Sequence, residues 1–104
     1  MNRTVDVVIV CGNEDAVAPL VDAALRGMRV LVVIRPGSAG LARHFRQSLR
    51  AAGVVSQRHV TFVTGSEVAC VDGVHGVEAV VVRHVRTGRL IGFNASALLT
   101  FDER

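Results

Sequence analysis

Residues 5–35, VDVVIVCGNEDAVAPLVDAALRGMRVLVVIR, decide the fold. Val5 to Val10 form a nearly continuous run of β-branched residues, as in a strand covered on both faces within a parallel sheet. The run stops at Cys11-Gly12, and Asn13, Glu14 and Asp15 then supply capping and acidic groups suited to a helix N-terminus. Val17, Leu20, Val21, Ala24 and Leu25 recur at helical spacing, and Gly27 suits the helix end. Pro19 fits only a first turn, so the helix is expected to begin no earlier than about Asp15 or else to bend. Arg29 to Ile34 repeats the β-branched pattern and ends in the breaker cluster Arg35-Pro36-Gly37-Ser38.

Working outward, Leu41, Phe45, Leu49 and Ala52 share one face of a second predicted helix, Ala39 to Ala52, closed by Gly53. A third strand, His59 to Thr64, completes a βαβαβ alternation of the kind that builds a parallel sheet. Short β-rich runs follow at Glu67 to Val71, Val77 to His84 and Leu90 to Asn94, with turn signals at Asp72-Gly73 and Thr87-Gly88. These predict a small antiparallel meander. The apolar run Ala97 to Phe101 returns to the parallel sheet before the charged residues Asp102, Glu103 and Arg104. The expected fold class is therefore α/β: a Rossmann-like βαβαβ parallel sheet, an antiparallel β-meander and a return strand.

A length of 104 residues fits one hydrophobic core, and residues 1–104 are read as a single domain. Half the residues are apolar, but there is no Trp or Tyr and only four Phe, so aliphatic side chains must fill the core. Arg and Asp interrupt every hydrophobic stretch, so no membrane span is expected; the short apolar run after Arg3 contains Asp6 and reads as a strand, not a leader. A cytoplasmic location is the default expectation. The formal charge of +3 comes from arginines dispersed along the chain, without aromatic RNA-binding motifs or zinc-finger spacing, so nucleic acid is not an expected partner. A small, half-apolar domain should keep some apolar surface, which favours a homodimer or a protein partner.

The turn after the first strand is the candidate site. A helix N-terminus directly after a strand offers unpaired N–H groups and a positive dipole end to phosphate. In the GxGxxG/A fingerprint the first Gly makes the tight turn, the second admits the pyrophosphate and the third position packs helix on strand. Cys11, Asn13 and Ala16 stand at those positions. Ala16 keeps the packing role, Asn13 tolerates φ > 0 but adds a side chain, and Cys11 departs from the pattern. Glu14 and Asp15 favour the helix yet repel an anion. Cys11 at a helix N-terminus admits two readings, an activated thiol or a small buried filler, and the second is preferred because no base or resolving cysteine stands near it in sequence. Cys70, likewise without a CxxC partner, is also expected to be buried. His44, His59, His75 and His84 lack metal-ligand spacing, so no metal site is expected.

The segment VVIVCGNEDAVAPLVDAALRGMRVLVVIR resembles the region around the NAD(P) motif in thioredoxin-reductase-like pyridine nucleotide-disulfide oxidoreductases. The later stretch TFVTGSEVACVDGVHGVEAVVVRHVRTGRLIGFNASALLTF is similar to the third strand, meander and return strand of that NAD(P)-binding subdomain. Ala16-Val17 match the family's helix start, and Cys11-Gly12-Asn13 match its turn with one Gly. The resemblance implies NADP or NAD as cofactor, held by Cys11, Gly12, Asn13, Glu14, Asp15 and Ala16, with Arg35 matching the first basic residue that NADPH-selective members carry after the second strand. Pro36 replaces the next one. Neither the flavin domain nor the redox-active Cys pair that the resemblance implies is read here, so no FAD site and no catalytic residue is expected. Two functions follow as expectations: a stand-alone nucleotide-binding-like domain with weak or lost dinucleotide binding, or a non-catalytic homo-oligomeric or partner-docking module. A Cys11-dependent redox protein would require a depressed thiol pKa.

Overall fold

A computed structural model describes residues 3–101. The predicted charged end, Asp102 to Arg104, lies outside the described residues. The elements run β1 (Arg3–Thr4), β2 (Val7–Cys11), a 3-10 turn (Glu14–Ala16), α1 (Val17–Leu25), β3 (Val30–Ile34), α2 (Leu41–Ala51), β4 (Val60–Val63), β5 (Ser66–Asp72), β6 (Ala79–His84), β7 (Leu90–Asn94) and β8 (Ala97–Phe101). One sheet has the order β4-β3-β2-β8 with every neighbouring pair parallel. The other has the order β1-β7-β6-β5; β5, β6 and β7 form the antiparallel meander and β1 joins β7 in parallel. The predicted α/β class, parallel strands, meander and return strand are all present.

The alternation of side chains along the central strands sorts the molecule into three layers. Val7, Ile9 and Cys11 of β2 and Val30, Val32 and Ile34 of β3 pack against Leu20, Phe45 and Leu49 of the two helices. The intervening residues, Val8, Val10, Leu31 and Val33, pack against Val80, Val82 and Phe93 of the meander. Both helices therefore cover one face of the parallel sheet and the meander covers the other. This explains why β2 and β3 are continuously apolar: neither face meets water.

The helix ends follow their sequence signals. Pro19 stands in the first turn of α1, where its missing N–H has no intrahelical partner to lose. Gly27 and Gly53 adopt φ of +75° and +93° just past α1 and α2. Met28 N–H donates to Ala23 O and Gly27 N–H to Ala24 O, and Val54 N–H donates to Leu49 O and Gly53 N–H to Arg50 O, two Schellman closures.

Two differences from the sequence reading have clear causes. β2 starts at Val7 because Asp6 is drawn to the start of β3, where its carboxylate accepts from Arg29 N–H at 2.7 Å and from the guanidinium at 3.1 Å. These bonds hold the Asp6 carboxyl below its ordinary pKa. Cys70 is exposed, not buried. The register of β5 shifts between Val68 and Cys70, and beyond this bulge the strand is uncovered.

Candidate functional site

The candidate site lies at the carboxyl ends of β2 and β3, the edge of a parallel α/β sheet at which ligands characteristically bind. Val10 pairs with Val33 and Cys11 with Ile34, so the loops after the two strands emerge side by side. Arg35 N–H donates to Cys11 O at 3.1 Å, extending the ladder by one step. Arg35-Pro36-Gly37-Ser38 then turns: Ser38 N–H donates to Arg35 O at 3.2 Å, Gly37 has φ +86°, and Pro precedes it, which fits a type II turn.

Gly12 is where the two loops touch. A Cβ on Gly12 would stand 3.3 Å from Arg35 Cδ, and the Ser38 hydroxyl donates to Gly12 O at 3.3 Å. The half-buried Arg35 side chain thus lies across the one position of the turn that lacks a side chain. Cys11, at the first fingerprint position, is fully buried and points into the helix-side core. Burial pushes its thiol up to about 11, while the Arg35 charge pulls in the opposite direction. The thiol is neutral at physiological pH, which argues against the activated-thiol reading.

Asn13 is extended, with φ −149° and ψ −177°, and does not use the left-handed tolerance of its residue type. Instead its Oδ1 accepts from Asp15 N–H at 2.9 Å, capping the 3-10 turn. That bond occupies one of the donors a phosphate would use. Glu14 and Asp15 are exposed, and Glu14 Oε1 stands 3.6 Å from His44 Nε2 on α2. Ala16 is fully buried against β2, as its packing role requires. The fold therefore brings Cys11, Gly12 and Arg35 into one cluster and turns Glu14 toward the other helix.

Nothing in the sequence marks Ser38 and His44 as neighbours of the site. Ser38 reads in sequence as a breaker residue and His44 as an isolated histidine; the β2–β3 pairing brings Ser38 to the turn, and the placement of both helices on one sheet face brings His44 there. Cys11 and Cys70 are both free thiols. Among the described residues no group of three or more His, Cys, Asp and Glu side chains is gathered for a metal, and no helix is long and apolar enough to cross a membrane.

No protein-family model and no curated protein matches the sequence. Solved structures do match. A thioredoxin reductase from Giardia duodenalis superposes with a TM-score of 0.67 at 19% identity, over 98% of this chain and 32% of that one. The chain has the fold of about a third of a thioredoxin reductase. The thioredoxin reductase from Streptococcus pyogenes MGAS5005 gives a TM-score of 0.64 at 19% identity, over 96% of this chain and 31% of its own. The myxobacterial chondrochloren halogenase, a FAD-dependent halogenase, gives 0.67 at 14% identity, over 96% and 37%. Thioredoxin-reductase-like therefore describes the fold, and the chain spans roughly a third of the length of these structures.

Proposed function

We propose that this domain binds a dinucleotide weakly at the β2–α1 turn, with Cys11, Gly12, Asn13, Glu14, Asp15, Ala16 and Arg35 around the ligand, and prefers NADP(H) to NAD(H). The observation that carries the reading is Arg35 lying across side-chain-free Gly12 at the carboxyl edge of the parallel sheet. A basic residue at the end of β3 suits a 2′-phosphate, whereas a carboxylate there would suit a free ribose. The thioredoxin-reductase-like fold supports a nucleotide of this class.

The opposing contributions have similar size. The helix dipole contributes ~0.3–1 kcal/mol near the surface, and a charge-assisted contact from Arg35 contributes ~1.5–3 kcal/mol. Against them stand the acidic pair Glu14-Asp15, the Asn13 side chain and the Asp15 N–H it occupies. A dissociation constant on the order of 0.1 mM or weaker is expected, about 5.5 kcal/mol or less. Calorimetry with NADPH and NADH tests the assignment: Arg35→Ala should weaken NADPH selectively, and equal weakening of both ligands would remove Arg35 from the 2′-phosphate.

A second reading is favoured by Leu99, 41% exposed on the open edge strand β8, and by Leu25, 58% exposed at the end of α1. We infer for it a homodimer or a partner-docking module in which the turn carries no ligand. Sedimentation at tens of micromolar, roughly the range in which a stable interface persists, separates the two readings; a clean monomer counts against the second.

A further inference from the structure

The meander carries a second concavity, apart from the β2–β3 turn. Val63 at the end of β4 and Val82, Ile91 and Phe93 on the meander form an apolar floor beneath a cavity of about 380 Å³. That volume lies within the ~300–1,000 Å³ range of small-molecule sites, whose usual make-up is an apolar lining with a few convergent polar groups. Here the polar groups are Thr64 and Ser66 at the β4–β5 link and His84, Thr87 and Arg89 on the β6–β7 hairpin; the hairpin supplies the two nitrogen side chains, and none of the lining residues is a carboxylate.

Hydrogen bonds within the hairpin orient the His84 ring. Thr87 N–H donates to His84 Nδ1 at 3.3 Å, and Arg89 N–H donates to Thr87 Oγ1 at 3.2 Å. Gly88 N–H donates to His84 O at 2.7 Å, and Val85 N–H donates to Gly65 O at 3.0 Å. With Nδ1 accepting, a neutral His84 ring carries its proton on Nε2. Nε2 faces Gly65, 3.6 Å from the position a Cβ would take there, and Gly65 has no side chain to cover it. Arg89 lines the same cavity and, among the described residues, no carboxylate pairs with it.

We propose that this cavity binds a small organic monocarboxylate with an apolar body, its carboxylate between His84 Nε2–H and the Arg89 guanidinium and its chain against Val82, Ile91 and Phe93. An inorganic anion would leave the apolar floor unused, and an uncharged molecule would leave the two donors unmatched. The inference is independent of dinucleotide binding at the β2–α1 turn.

Methyl and amide NMR titrations of the full chain with octanoate, octanol, inorganic phosphate and AMP test it. Octanoate should move the Val82, Ile91 and Phe93 signals saturably, with octanol and phosphate each weaker by about tenfold and Arg89→Gln weakening octanoate by a similar factor, the loss expected for one charge-assisted contact. Arg35→Ala should leave octanoate binding unchanged. No saturable shift at several millimolar octanoate, equal binding of octanol, a response to AMP in place of octanoate, or loss of octanoate binding in Arg35→Ala would each overturn the assignment.

Discussion

All five residues of β2 and all five of β3 are buried, whereas only Ser66 of the seven in β5 is. The difference is written in their composition: β2 and β3 carry no charged residue, whereas β5 includes Ser66, Glu67 and Asp72. Layer position is the physical reason. The central parallel strands have helices on one face and the meander on the other, while the meander keeps one face open. A substitution in the first region disturbs a packed layer whichever way the side chain points; in the second, the outcome depends on which face it occupies.

The largest effect is expected from Phe45→Ala. Phe45 is fully buried between α2 and the parallel sheet and stacks near Phe62, so truncation should cost ~3–5 kcal/mol, read as a lower denaturation midpoint. A loss under about 1 kcal/mol would mean that the helix layer is not packed as described.

The buried end of β2 should also show itself through pH, at Cys11. Its folded pKa is raised by burial from 9.0 to about 11. Below pH ~9 the thiol is protonated in both folded and unfolded chains, and its contribution is fully present. As pH rises from ~9 toward 11 the unfolded chain loses the proton first, so stability should fall by on the order of 2 kcal/mol. Cys11→Ala should flatten this alkaline limb. At pH 8 a thiol reagent should modify the exposed Cys70 and spare Cys11 until the chain unfolds; rapid modification of both thiols would contradict the buried placement.

The smallest effect belongs to the open face of the meander. Val71→Ser, at a position 46% exposed, should change stability by less than about 0.5 kcal/mol in the same denaturation measurement. A large loss there would show that something covers this face in solution.

The contrast also marks what could be read from the sequence. Strands buried on both faces announce themselves as unbroken β-branched runs, and turns that need a left-handed residue announce themselves as glycines. The return strand Ala97–Phe101 and the meander strand Leu90–Asn94 occupy their predicted spans for this reason. β1 carries no such signal: Arg3 and Thr4 are both exposed, and their pairing with β7 depends on a strand far along the chain. Nor does periodicity say which layer covers which, so the meander's place over the parallel sheet was not legible, nor the approach of Ser38 and His44 to the turn. Asn13 was legible as a cap and not as an extended residue, because its side chain supports either local geometry.

The proposed function stands or falls on dinucleotide binding at the turn that ends the buried strands. Chemical shifts of residues 11–16 and 35, followed in the parent and in Asn13→Gly during titration with millimolar NADPH and NADH, test it most directly. Weak, saturable shifts confined to this turn are expected, larger with NADPH, with tighter binding once the Asn13 side chain is removed. Shifts that stay unmoved by both nucleotides in both proteins would contradict it and leave the domain as an assembly module.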